Sequence, residues 1–245
     1  MTRAYGYKRN PPHVAGRLPR FGATPVRSKL TRADLRARVQ IRDQGARSSC
    51  TGWGYWQAIW ILSQVAAAAI ALWNLARAKE GQDLSIDDGA YPSDVLDDIQ
   101  AMGWCPEADF PDTDENASRL PSLAAFLDGT AHTVKASQIV ECQGAQTIAD
   151  CKASIDAGAP FVCGLFVDEI YQNIAAGQTW MGPNGTPGGG HYQCFVDYGI
   201  DDNGVEYFVS ANSWGTGWAE GGFGRVAASV IGSQATDIES VEVAA

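Results

Sequence analysis

The chain has no C-x-x-C pair among its six cysteines, no apolar leader, no charged residue from Ser48 to Ala76, and three histidines in 245 residues. Each shortage excludes something. Without paired cysteine spacing a zinc cluster is not expected, and no disulfide framework can be read from Cys50, Cys105, Cys142, Cys151, Cys163 and Cys194. Thr2 to Arg20 is basic and lacks a hydrophobic centre, so no signal peptide is expected there. A reducing, cytoplasmic setting is the expectation, with a virion or a non-classical export route left open. The uncharged run is long enough to span a bilayer, but it contains Gln57, Ser63, Gln64 and Asn74. Its longest strictly apolar piece, Val65 to Trp73, is too short to cross, so no membrane span is expected. A stretch apolar on all sides reads instead as a buried helix between lobes.

What is present suits a large core. With 45% apolar residues, the chain can form one large domain or two lobes sharing an interface. The net charge of −10 is unevenly spread. Twelve of the 18 Lys and Arg precede Ser48, against only Asp34 and Asp43, so the remaining 198 residues carry 6 basic and 26 acidic side chains. An acidic body repels nucleic acid, and no recognition fold accompanies the basic arm, so a nucleic-acid partner is not expected. The arm reads as a solvated extension, or one drawn onto the body by opposite charge.

Three segments carry chemistry. Gln44-Gly45-Ala46-Arg47-Ser48-Ser49-Cys50-Thr51 puts a cysteine where a helix begins, and unpaired N–H groups with the positive end of the helix dipole favour thiolate there. A thiol nucleophile needs a base and a group to orient that base, at any distance along the chain. Gly188-Gly189-Gly190-His191-Tyr192 and Ala211-Asn212-Ser213-Trp214-Gly215-Thr216-Gly217-Trp218 can supply them. Of the other histidines, His13 lies in the arm between prolines and His132 opens an expected strand. Taken alone, Cys50 would more often be an inert buried thiol, His191 a histidine beside a flexible loop, and Asn212 a turn residue.

In order and separation, these three segments resemble the papain-like cysteine peptidases, and Thr51 after the cysteine resembles the bacterial and viral branch, where plant enzymes have Trp. Asp88-Gly89-Ala90-Tyr91 and Gly103-Trp104-Cys105-Pro106-Glu107 also resemble that branch. The likeness runs from about Thr24 to Val226, leaving the arm and the extreme tail outside. It implies an α+β, papain-like two-lobe fold. An irregular arm (1–23) precedes a helical lobe (24–130) with the nucleophile and an antiparallel, barrel-like lobe (131–245) with the His and Asn, the cleft lying between the lobes. It implies thiol-dependent hydrolysis of peptide bonds through Cys50, His191 and Asn212. Gln44 would hold the oxyanion and Trp214 would shield the His–Asn bond. No cofactor or metal is implied, and the expected partner is a peptide or protein substrate; oligomeric state is left open. Arg47 stands where plant and lysosomal relatives have a disulfide cysteine, and the arm is much shorter than the family's helical prosegment. Substrates of the family usually offer an apolar side chain two positions before the cut. Two alternatives stay open: a related amidase or transpeptidase acting on cell-wall or isopeptide bonds, and a non-catalytic protein docking through its basic arm.

Local patterns predict helices from Cys50 to about Ile61, from a Ser63 cap to about Lys79, from a Ser93 cap to Gly103, and shorter ones over Leu120 to Asp128 and Thr147 to Asp156. Strands are predicted over His132 to Val140, Phe161 to Val167, His191 to Tyr198, Glu206 to Ala211 and Gly222 to Ala228, a series suggesting a sheet curled into a barrel. No internal repeat is visible.

Overall fold

A helix without a polar face must be covered on every side, and the rest of the chain is arranged to do this. The computed structural model describes residues 5–14, 17–22, 29–129 and 133–243. Helix α1 (Arg32–Ala37) opens with a capping box in which Thr31 and Asp34 each bond the other's backbone N–H. The central helix α2 (Cys50–Ser63) is buried at nearly every position, between α3 (Ala69–Lys79) and the sheet. Helices α4 (Pro92–Met102) and α5 (Leu123–Gly129) complete the helical side. Strand β1 (Val134–Gln138), α6 (Ala145–Asp156), β2 (Phe161–Asp168), α7 (Glu169–Gln172), β3 (Thr179–Trp180), β4 (Pro187–Ile200), β5 (Glu206–Ala211), β6 (Phe223–Ala227), α8 (Ala228–Gln234) and β7 (Thr236–Val243) follow.

The uncharged stretch divides where Gln64 adopts a left-handed conformation, φ 58°. Among the described residues no helix is long and apolar enough to cross a membrane. Ser63 does not cap α3: its hydroxyl donates back to Ile59 O at 2.7 Å, finishing α2, and α3 begins six residues later with no side-chain cap. Ser93 likewise sits inside α4, whose first position is Pro92, a residue with no N–H to leave unpaired.

The sheet has seven strands in the order β1-β7-β2-β4-β5-β6-β3. It is mixed and open, not a closed antiparallel barrel: β3 runs parallel to β6, and β1 and β3 are the outermost strands, β1 being met at Gln138 by the arm at Pro19 and Phe21. Strand β1 does not meet β2 directly, because β7 from the chain end is inserted between them. His132, the expected start of that first strand, lies outside the described residues, as does the side chain of His13.

Helix α2 meets the sheet through Tyr55 and Tyr192, with rings 5.5 Å apart and hydroxyls 3.2 Å apart. Both hydroxyls donate to Glu239 on β7, which is buried. Strand β4 pairs with β2 such that Leu165 faces His191, and with β5 such that Cys194 faces Ala211, one residue before Asn212. All six cysteines are free thiols.

Candidate active site

Cys50 is the first residue of α2, and the preceding Ser49 makes no side-chain cap, so the first-turn donors remain available. The N–H groups of Tyr192, Gly6 and Thr51, together with the Thr51 hydroxyl, point at its sulfur and favour thiolate. Burial outweighs them and pushes the thiol up to about 11. Tyr192 directly follows His191, so the sulfur lies beside the peptide that carries the imidazole.

The imidazole Nε2 is 2.7 Å from Asn212 Oδ1, and that oxygen also accepts from Ser213 N–H at 2.7 Å. Two partners identify it as the carboxamide oxygen, which only accepts. Nε2 therefore carries the proton and Nδ1 the lone pair. Trp214 stacks on the imidazole (centroids 4.4 Å, 20° between planes) and is itself held edge-on by Trp218. A wet hydrogen bond is weak, and this pair is dry: His191, Asn212 and Trp214 are all buried.

Gln44 is tied to the same segment. Its N–H donates to Ser213 O at 2.8 Å, and its Oε1 accepts from Ser213 Oγ at 2.6 Å. Nε2 donates one hydrogen to Arg47 O at 2.8 Å, so the amide is fixed in rotation with a second hydrogen to offer. Gln44, Cys50, His191 and Asn212 are thus gathered around one helix start and two neighbouring strands. Among the described residues no cluster of His, Cys, Asp and Glu could hold a metal ion.

Sequence reasoning missed the occupant of this site. The arm crosses it in extended form: Tyr7 N–H donates to Gly190 O at 3.1 Å, Ala90 N–H to Gly6 O at 3.0 Å and Lys8 N–H to Ala90 O at 3.3 Å. Tyr5 lies edge-on to Trp214 at 6.4 Å. Only glycine fits beside the sulfur, because a Cβ on Gly6 would stand 1.6 Å from Ser48 O. Cys50 and His191 consequently have 0% exposure. The arm's charges pair with the body, Lys8 with Asp88 at 2.9 Å and Arg17 with Asp97 at 3.3 Å, so these groups are engaged with the protein's own surface.

A thiol at a helix start beside a dry His–Asn pair, on helices packed against a mixed sheet, defines a cysteine-protease scaffold. The family model for papain family cysteine proteases matches residues 32–245, and the chain belongs to that family. The match takes in the chain end, which the motif likeness had left outside. Cathepsin B-like CP3 of Giardia intestinalis is 34% identical over 106 residues, 43% of this chain and 34% of that protein. Cysteine proteinase 2 of Entamoeba histolytica is 30% identical over 138 residues, 56% of this chain and 41% of that protein. The aligned stretches therefore span under half the length of these relatives. In fold, the chain is similar to xylellain, a cysteine protease from Xylella fastidiosa (TM-score 0.79, 22% identity, 100% of this chain and 98% of that one). It is also similar to the bromelain protease of Ananas comosus solved with the E64 inhibitor (TM-score 0.66, 16% identity, 89% and 99% covered).

Proposed function

We propose that this protein is a thiol-dependent endopeptidase whose catalytic groups are Cys50, His191, Asn212 and Gln44. The Cys50 thiol passes its proton to the Nδ1 lone pair of His191, and the resulting thiolate adds to a peptide carbonyl, breaking its π bond and placing the charge on oxygen. The Cys50 N–H and the Gln44 amide hold that oxyanion. His191 donates its Nδ1 proton to the amide nitrogen as the C–N bond breaks, leaving an acyl thioester and a free amine. Water then attacks the thioester with its proton passing to His191, releasing the acid and restoring the thiol. Asn212 keeps Nε2 protonated throughout, so Nδ1 is always the nitrogen that exchanges protons. The observation that carries this reading is the 2.7 Å Nε2–Oδ1 bond beside a thiol surrounded by N–H donors.

The arm has to leave before any substrate enters, since it faces the sulfur with an N–H rather than a carbonyl carbon. Free thiols and Arg47 in place of a bridging cysteine favour a reducing compartment, and Thr51 favours the bacterial or viral branch. The test is to incubate the chain carrying Tyr7→Ala with an unfolded protein, with peptidoglycan and with an amine acceptor, and to weigh the products. Internal cuts in the protein, abolished by Cys50→Ala, are expected. Cell-wall fragments or amine adducts alone would replace the peptidase with an amidase or transpeptidase.

A further inference from the structure

Where α2 packs on the sheet, a small void remains beside Asn212. It offers about 10 Å³ to the centre of a guest the size of water, which is room for one such guest. Five of the residues lining it are Trp53, Trp56 and Gln57 on α2, Gln193 on β4 and Asn212 just after β5. All are at most 4% exposed, and each buries a side-chain nitrogen that finds no acceptor among the described residues. Folded proteins leave few polar groups in that condition, and here five share one space.

The chemistry of this wall is one-sided. An indole N–H can only donate. Asn212 holds its oxygen on His191 Nε2 and Ser213 N–H, and the Gln193 oxygen accepts from the hydroxyls of Tyr171 and Ser210, so both amides have only NH2 groups left to offer. Gln57, whose amide no hydrogen bond fixes, can turn its nitrogen inward as well. No Asp or Glu lines the void among the described residues, and burial pushes the Cys194 thiol on its wall well above its ordinary value, which keeps it neutral. The charged side chain there is Arg42, whose guanidinium lies 5.4 Å over the Trp56 ring. A buried water needs acceptors for its own two hydrogens as well as donors. A monatomic anion accepts from every side and donates nothing. We propose that this void is a binding site for one small monovalent anion of the halide class, held by the donors of Trp53, Trp56, Gln193 and Asn212 in the seam between α2 and the sheet. The site goes beyond the peptidase reading and stands without it. The ion takes a hydrogen of Asn212 Nδ2 while Oδ1 stays on His191, so the carboxamide is fixed at both ends, and the ion positions the pair without touching a reacting atom.

The test grows crystals of the full chain in sodium bromide and collects diffraction data at the bromine absorption edge. An anomalous peak within reach of Asn212 Nδ2 and Gln193 Nε2 is the expected result. Density there without an anomalous signal, which is a water, overturns the proposal, and so does a void without density. In solution, the urea midpoint of the full chain should rise and saturate with chloride or bromide but not with gluconate at the same ionic strength, because only the folded chain has the site. A rise that gluconate matches, or that does not saturate, overturns the proposal. Trp53→Phe removes one donor and keeps an aromatic ring, so the halide concentration at half effect should rise about tenfold. Gln193→Glu keeps an oxygen for Tyr171 and Ser210 and puts a second oxygen in place of the NH2, which should abolish the halide response. A response unchanged in both variants places the ion elsewhere and overturns the assignment, and if neither variant folds, the bromide crystals of the unaltered chain decide. Neither readout uses hydrolysis, so a chain that fails to cut peptides leaves this result standing.

Discussion

Replacing Tyr7 by alanine should expose Cys50 to a small alkylating reagent without altering the thiol, the imidazole or the carboxamide. Tyr7 is anchored by the ring stack on Tyr192 and by the hydroxyl bonds to Thr236 and Asp237. Truncating a buried aromatic to alanine costs about 3–5 kcal/mol, and here the loss falls on the docking of the arm. The fraction of molecules with the arm displaced rises by at least about a hundredfold, since each 1.4 kcal/mol is a factor of ten. In the closed form Cys50 is inaccessible and pushed up to about 11 by burial, so the alkylation rate follows the open fraction. The assay is timed iodoacetamide labelling at pH 8 with peptide mass mapping. Cys142, an exposed thiol, serves as the internal reference that reacts at once in both chains. A Cys50 rate within about twofold of wild type would refute the claim that Tyr7 holds the arm over the thiol.

Once the arm is displaced, Asn212→Ala should lower kcat by about a hundredfold or more with KM little changed, because the imidazole loses its tautomer and orientation; steady-state kinetics on a fluorogenic peptide decide it. Gln44→Ala should cost about 10²–10³ in kcat through the oxyanion, and a loss confined to KM would count against that role. Glu239 gives a pH signature in stability. Burial raises it from an ordinary carboxyl value of 4.5 to about 8, so the native chain holds a proton that the unfolded chain releases. Its stabilisation is full below 4.5 and is lost as pH rises towards 8, with a slope of at most about 1.4 kcal/mol per pH unit. Urea midpoints measured at pH 5 and pH 8 should therefore differ more in wild type than in Glu239→Gln, and parallel curves would contradict the assignment.

Much of the site was legible because it is written in local chemistry. A cysteine at the start of an uncharged helix, a histidine behind three glycines, and Asn-Ser-Trp-Gly-Thr-Gly-Trp each announce themselves in a few residues, and the papain-like fold follows from their order. The sheet was less legible. Strand β7 escaped notice because Glu239 and Ser240 are buried where an apolar alternation would be sought, and only the tyrosine hydroxyls of two other elements make the acid tolerable there. The missing barrel closure has the same origin, since an unseen strand left β1 and β2 as apparent neighbours. The start of α3 was misplaced because its first turn is satisfied by tertiary contacts, with Ala68 N–H bonding Cys105 O, and no side chain marks it. Attraction of the basic arm to the acidic body was legible as one of two readings, but the place where it docks was not. Tyr5-Gly6-Tyr7 has no periodicity of its own, and its partners come from Ala90, Gly190 and Asp237, which meet only in the folded chain.

The most direct test of the central claim is the mass of the Tyr7→Ala chain after treatment with an epoxysuccinyl inhibitor under reducing conditions, taken alongside peptide hydrolysis on the same sample. One adduct on Cys50, with hydrolysis falling in proportion to its occupancy, is the predicted result. Hydrolysis that persists at full occupancy of Cys50, or an adduct found on another cysteine as activity disappears, would contradict it.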